Sequence, residues 1–161
     1  MNKRATRLFA TAAVAAALPL TVLGATAAPA LAAAPSDSTP APLVNLPTGQ
    51  CLTALSPVSV GTAPCQTGGG QQPLQQWTFT AWGAIANPAT SGCLTAGTSG
   101  AVSVGQCGGP GQLWAPIPGN PQYIMNRLTG ECLTGSPEGY VVTTMCRPSG
   151  FQVWLGASWP S

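Results

Sequence analysis

The chain has 161 residues, only 5% of them charged, and it contains six cysteines but no histidine. Three of its five cations, Lys3, Arg4 and Arg7, lie at the amino terminus, which leaves two arginines and three acids for the rest of the chain. Without a basic surface to neutralise phosphates, nucleic acid and anionic membranes are poor candidate partners.

The amino terminus has the layout of an export signal. After the cations, a stretch of mostly Ala, Leu and Val covers residues 8–23, and the small residues Ala30-Leu31-Ala32 follow it. This pattern predicts a secretory signal peptide over residues 1–32, cleaved before Ala33. The alternative is a membrane anchor, but a spanning helix needs about 20 strongly apolar residues, and Pro19 interrupts this stretch. The abundance of Ala favours a bacterial exporter and a secreted, extracellular protein.

A short segment rich in Pro and small residues follows the leader. Residues 33–42 have the sequence AAPSDSTPAP, without apolar periodicity. Such a composition is typical of an extended linker.

From residue 43 to residue 161 the chain repeats one unit three times. Each unit carries a Cys-Leu-Thr frame, a second cysteine 14 positions later and a Gln-x-Trp frame. The first cysteines are Cys51, Cys93 and Cys132, and the tryptophans are Trp77, Trp114 and Trp154. Self-similarity at a period of about 40 residues indicates three copies of one structural unit, at about 43–82, 83–121 and 122–161.

Four short strands are predicted in each unit. Turn residues such as Thr48-Gly49 separate apolar positions, and helix has no support after the leader. Three units of four strands predict an all-β fold, and the threefold repeat favours a β-trefoil over a two-sheet sandwich. The expected core is four rings of three residues: Leu43, Ile85, Ile124; Leu52, Leu94, Leu133; Val60, Val102, Val141; and Trp77, Trp114, Trp154.

The even number of cysteines and the export signal indicate disulfide bonds. Six thiols permit many pairings, but the repeat favours pairing within each unit: Cys51 with Cys65, Cys93 with Cys107 and Cys132 with Cys146. Each bond would close a loop of about 15 residues and contribute about 3 kcal/mol. A metal site is the alternative, but the chain has neither histidine nor a Cys-x-x-Cys cluster. No metal or cofactor is predicted.

Three Gln-x-Trp frames in phase with three cysteine pairs resemble the ricin B-chain lectin family, the R-type β-trefoil carbohydrate-binding modules. The resemblance covers residues 42–161. It implies a sugar site with an aspartate two positions after the first cysteine, an aromatic residue about two before the second, and an asparagine before the Gln-x-Trp frame. The matching residues here are Thr53, Thr95 and Thr134; Ala63, Gly105 and Thr144; and Leu74, Gly111 and Phe151. All three inherited sites are therefore expected to be degenerate.

The third unit is the best place for a remodelled site. Its loop carries Glu138 and Tyr140, and Arg127 lies in the adjacent hairpin. With Thr134 and Asn126, these are the predicted carbohydrate-binding residues; the alternative is that they form a solvated edge. Trp82 and Trp159 lie five positions after a Gln-x-Trp tryptophan, in the first and third units only. They either pack under the barrel or lie exposed.

The residue inventory argues against an enzyme. No lysine follows the leader, and in the folded part only Glu131 and Glu138 are acidic, both in one unit. A glycosidase needs two carboxylates at a controlled separation. The expected function is therefore a secreted, non-catalytic lectin-like module that binds polysaccharide or cell-surface glycan. The alternative is an extracellular protein-interaction or inhibitor module that has lost sugar binding, acting alone or as one subunit of an assembly.

Overall fold

The computed structural model describes residues 37–67 and 72–160. The predicted signal peptide and the start of the predicted linker lie outside the described residues. Within them the chain forms thirteen strands, two short 3₁₀-helices and no α-helix. Among the described residues, no helix combines the length and apolar character that crossing a membrane requires.

After β1 (Ala41–Pro42), the strands form three similar sets of four. The first set is β2 (Val44–Asn45), β3 (Gln50–Ser56), β4 (Ser59–Pro64) and β5 (Gln76–Phe79). The second is β6 (Ile85–Asn87), β7 (Gly92–Ala96), β8 (Val102–Gln106) and β9 (Trp114–Ile117). The third is β10 (Asn120–Asn126), β11 (Glu131–Gly135), β12 (Val141–Met145) and β13 (Trp154–Leu155). The 3₁₀-helices, Gln72–Gln75 and Gly150–Gln152, precede β5 and β13.

The strand pairing has the same pattern in each set. The second and third strands form an antiparallel hairpin: β3 with β4, β7 with β8 and β11 with β12. The last strand of each set pairs with the first strand of the next, so that β5 pairs with β6, β9 with β10 and β13 with β2. The last of these pairings joins the end of the domain to its beginning and closes the barrel. The predicted β-trefoil is confirmed.

The barrel interior contains the predicted core with one difference. Eleven of the twelve predicted residues are buried, while Val102 is half-buried and only packs against the cluster. Side chains two positions apart share a strand face, and Val104 on the same face of β8 takes the buried place at 3% exposure. Phe79 also joins the core, at 2% exposure. The three tryptophans are equivalent, because each indole Nε1 donates to the carbonyl of Leu52, Leu94 or Leu133 at 2.9 Å.

Each hairpin is crosslinked by its own disulfide. The bonds join Cys51 to Cys65, Cys93 to Cys107 and Cys132 to Cys146, as the repeat predicted. No free cysteine occurs among the described residues. Each bond joins the start of the first strand of a hairpin to the residue that follows its second strand. It therefore restricts the unfolded chain within one unit only. The three units are held to one another by the pairing of barrel strands.

The end of the predicted linker is not a free tether. Ala41 and Pro42 form β1, which pairs with Trp77 and Gln76 of β5. The backbone nitrogen of Ser38 donates to the carbonyl of Phe79 at 2.9 Å. An exposed strand edge offers unpaired backbone groups, and residues 37–42 satisfy those of β5, a contact that composition alone does not reveal.

Candidate functional site

Asn126, one of the predicted carbohydrate-binding residues, lies inside the fold. It is 0% exposed, as are its counterparts Asn45 and Asn87. Its Nδ2 donates to the carbonyls of Gly111 at 2.8 Å and Leu113 at 3.3 Å, and its Oδ1 accepts from two backbone nitrogens of the next turn. Asn126 therefore ties the third unit to the Gln-x-Trp segment of the second and cannot reach a ligand.

The threonine that replaces the expected aspartate is also part of the framework. The Thr134 hydroxyl donates to the carbonyl of Cys132 at 2.9 Å and lies 2.8 Å from the Thr144 hydroxyl. It also accepts from Gln152 Nε2 at 3.2 Å. A hydroxyl has one donor and two acceptor positions, so that Thr134 has none left. Thr53 and Thr95 make the corresponding bonds to the cysteine carbonyl and to the Gln-x-Trp glutamine.

Thr134 nevertheless lies at the base of a surface depression, which we call the third-repeat depression. Its volume is about 480 Å³, and it is lined by residues of β11, β12 and the segment before β13. Tyr140, one of the predicted residues, forms part of its wall and is 57% exposed. The lining residues used below are Thr134, Tyr140, Thr144, Met145, Arg147 and Phe151.

Four of these side chains, those of Thr144, Met145, Arg147 and Phe151, were not predicted as site residues. Arg147 directly follows Cys146, the second cysteine of the third unit. Its backbone nitrogen donates to Gln152 Oε1 at 2.9 Å, and its guanidinium lies 3.5 Å from the Met145 sulfur. Phe151 stands where the resemblance places an asparagine, and it is half-buried. The sequence did carry a signal for Arg147, because only two arginines follow the leader.

Glu138 does not line this depression. Its carboxylate accepts a short hydrogen bond from the Ser136 hydroxyl, which in turn accepts from the Glu138 backbone nitrogen at 3.0 Å. The Ser136 bond, followed by the backbone bond, holds the pKa of Glu138 below its ordinary value, although slight desolvation opposes them. The acid thus closes the β11–β12 turn on itself.

Arg127 lies elsewhere on the surface, which corrects the prediction that it shares a rim with Tyr140. It lines a second depression, the tryptophan cleft, of about 300 Å³. Trp82 and Trp159 line the same cleft, and none of its residues belongs to the third-repeat depression. The guanidinium near Tyr140 is therefore that of Arg147. Within the described residues, no three His, Cys, Asp or Glu side chains are grouped to hold a metal ion.

These features define a small β-trefoil with one disulfide in each hairpin and a depression at the rim of its third unit. A family profile described as the ricin-type β-trefoil lectin domain matches residues 39–154. The chain belongs to this family.

Solved structures with the same fold include hemolytic lectin CEL-III, which is 21% identical, with a TM-score of 0.64 over 80% of this chain and 32% of that one. GalNAc-T7, solved with UDP, GalNAc and Mn²⁺, is 20% identical, with a TM-score of 0.61 over 74% of this chain and 22% of that one. A non-toxic homologue of type II RIPs from Momordica charantia (bitter gourd), in complex with α-methyl-D-galactoside, is 17% identical, with a TM-score of 0.60 over 71% of this chain and 47% of that one.

The chain thus spans less than half the length of each of these proteins. At such identities the likeness shows the fold alone. No curated protein sequence matches the chain.

Proposed function

We propose that the chain is a secreted, non-catalytic carbohydrate-binding module that holds a saccharide in the third-repeat depression. The observation that carries the proposal is the meeting of Tyr140, Phe151 and Arg147 at one concave surface of a ricin-type lectin domain. The signal peptide that the sequence predicts at residues 1–32 supports secretion.

The depression offers the contacts that a sugar ring requires. The exposed ring of Tyr140 provides an apolar surface for the C–H face of a pyranose. Arg147 provides charge-assisted donors for hydroxyl oxygens. Thr144 donates to Thr134 and accepts from Gln152 Nε2 at 2.9 Å, which leaves it one acceptor position for a sugar hydroxyl.

These contacts replace those implied by the resemblance to lectins. The carboxylate of that arrangement is absent, since Thr134 occupies its position with a saturated hydroxyl. A charge-assisted hydrogen bond contributes about 1.5–3 kcal/mol. Because millimolar binding corresponds to only about 4 kcal/mol, we infer a weak site that depends on Tyr140.

The positions of the acids favour binding without catalysis. Glu131 Oε2 accepts from the Thr143 hydroxyl at 2.7 Å, and Glu138 is engaged by Ser136. Neither carboxylate lines the third-repeat depression. A glycosidase mechanism requires two carboxyl groups on either side of the bond to be broken, which this depression does not provide.

The proposal is tested by screening residues 33–161 on a glycan array and titrating the best ligand. We expect Tyr140→Ala to abolish binding and Tyr140→Phe, which keeps the ring, to retain most of it. Leu128→Ala is the matched control, because Leu128 lies in the same unit, is 57% exposed like Tyr140, and does not line the depression. Unchanged binding by Tyr140→Ala would reject the site.

A protein-interaction module is the second candidate. Leu55 and Val58, on the first-unit hairpin, are 57% and 70% exposed. Leu55 lies near Gly61, which forms a β-bridge with Tyr140. An exposed apolar side chain, that of Leu55, therefore lies beside the backbone segment that bridges to Tyr140. Exposed apolar side chains are common at protein interfaces. If the folded protein, with all three disulfides formed, bound no glycan on the array, this second function would be favoured.

A further inference from the structure

The tryptophan cleft combines an exposed indole with an arginine. It is formed by the β5–β6 turn, strand β9, the β10–β11 turn and the carboxyl-terminal tail. Its volume of about 300 Å³ lies at the lower end of the range for small-molecule sites. The lining residues used below are Thr80, Trp82, Gly83, Arg127 and Trp159. A concave space of this size is suited to a small ligand.

Three tryptophans line the cleft, of which Trp114 is the buried core residue of the second unit. The other two are held in different ways. Trp159 Nε1 donates to the carbonyl of Pro121 at 3.0 Å. Its ring packs edge to face against the ring of Phe79, with 4.5 Å between the two ring centroids. Trp82 is 50% exposed. Trp159 is thus part of the fold, whereas Trp82 leaves half of its surface in water.

The turn that presents Trp82 is well ordered by hydrogen bonds. Thr80 bonds to Ala84 through backbone and side chain, and the nitrogen of Gly83 donates to the carbonyl of Thr80 at 2.9 Å. Gly83 has a φ of +92°, a conformation that favours glycine. A ligand that covered Trp82 would therefore bury apolar surface without first having to order the turn.

Among the residues that line the cleft, only Arg127 is charged. Five charged residues occur in the described part of the chain, and its three acids all accept hydrogen bonds from the protein. Asp37 accepts from the backbone nitrogen of Ala81, a lining residue, at 2.8 Å, so that its carboxylate lies beside the cleft but is already hydrogen-bonded to the β5–β6 turn. Arg127 is positioned by its backbone nitrogen, which donates to the carbonyl of Leu113 at 2.8 Å. Its guanidinium has no hydrogen-bond partner within the described residues.

We propose that the tryptophan cleft is a second saccharide site, selective for sugars that carry a carboxylate. The indole of Trp82 covers the apolar face of the ring, and the guanidinium of Arg127 binds the carboxylate. The planar fork of arginine matches a carboxylate in two parallel hydrogen bonds. This site is independent of the third-repeat depression, with which it shares no lining residue.

The test uses a tetramer of galacturonic acid and its fully methyl-esterified form, which has the same rings without the charge. Binding to residues 33–161 is followed by calorimetry and by tryptophan fluorescence. Ligand concentrations up to about 10 mM are used, so that a site of millimolar affinity, which corresponds to about 4 kcal/mol, is still detected. We expect the acid tetramer to bind at least tenfold more tightly than the ester, and less tightly as salt is raised. Trp82→Ala and Arg127→Gln should each weaken binding at least tenfold.

Matched controls keep the result specific. Leu46→Ala truncates a side chain that is 51% exposed, against 50% for Trp82, and that lines neither depression. It should bind the acid tetramer like the unchanged protein, whereas Arg127→Lys, which keeps the charge without the planar fork, should bind more weakly than the unchanged protein but more tightly than Arg127→Gln. Equal binding of acid and ester, equal binding by Arg127→Gln and the unchanged protein, or no binding of the acid tetramer would overturn the proposal. None of these outcomes decides whether the third-repeat depression binds the glycans of the array, because that depends on Tyr140.

Discussion

The interior of the barrel and the loops at its rim follow different rules. Inside, one tryptophan, one glutamine and one asparagine make the same contacts in each unit, and each indole donates over the same 2.9 Å. At the rim the three hairpin turns differ: Glu138-Gly139-Tyr140 of the third unit stands where the first has Pro57-Val58-Ser59. Only the third of these turns contributes an aromatic side chain to a depression.

This difference follows from what each region must satisfy. A buried amide or indole N–H needs a partner, and the described residues contain no buried side-chain nitrogen or oxygen atom that lacks one. The three units are arranged around one axis, and each satisfies its buried hydrogen-bonding groups in the same way. The interior positions therefore carry the same or similar residues in all three units. A solvent-exposed turn can bond to water, which leaves its side chains free to differ and to bind ligands.

The contrast can be tested most strongly with two tryptophans. Trp114→Ala removes an indole that is 1% exposed, and we expect it to lower the free energy of unfolding by about 3–5 kcal/mol, because it leaves a cavity in the core. Trp82→Ala removes an indole that is 50% exposed and should change the free energy by about 0.5 kcal/mol or less. Urea unfolding followed by circular dichroism measures both. Similar losses would show that the tryptophan cleft is structural rather than a ligand site.

Much of the fold could be predicted because the repeat supplies three observations of every interior position. One Gln-x-Trp frame would have indicated little, but three in phase with three cysteine pairs specified the topology and the disulfides. Val102 was assigned to the core by its spacing from the cysteine, and Val104 on the same strand face is buried instead. A residue at the equivalent sequence position is therefore not always the buried one when a second valine lies on the same strand face.

The surface was harder to predict, because sequence proximity is a poor guide to which loops meet. Arg127 lies close to Glu138 in sequence, yet it lines the tryptophan cleft with residues of the first unit and the tail. Arg147 lies beside Phe151 at the third-repeat depression. Asn126 was assigned to the sugar site although the same asparagine occurs in all three units. That recurrence could have indicated a structural role.

The role of Asn126 can be separated from ligand binding by comparison with Asn120 of the same strand. Asn126→Ala removes the side-chain donor from the carbonyls of Gly111 and Leu113, although each keeps a backbone donor. It also removes the acceptor of the backbone nitrogens of Leu128 and Thr129, so that the free energy of unfolding should fall by about 1–3 kcal/mol. Asn120 is exposed, and Asn120→Ala should have little effect. Thermal and urea unfolding give the difference. If Asn126→Ala instead kept full stability and lost glycan binding, Asn126 would be a ligand-binding residue rather than a structural one.

The smallest effect concerns Glu138, which stands at the boundary between the two regions. Its folded-state pKa is depressed, mainly by the Ser136 hydroxyl. A group of this kind adds stability above its unfolded pKa, and that contribution is lost as the pH falls through the folded value. Because the carboxylate is exposed, we expect Ser136→Ala to show a clear rise in the pKa of Glu138 in a ¹³C-carboxyl NMR titration rather than a large change in stability.

The control for this titration is Ser99→Ala, which alters the corresponding turn of the second unit. It should leave the pKa of Glu138 where it is in the unchanged protein. A pKa that stayed low in Ser136→Ala would mean that the hydroxyl does not hold the carboxylate. Glu138 would then be available to accept hydrogen bonds from a bound sugar, and the third-repeat depression would extend over the β11–β12 turn.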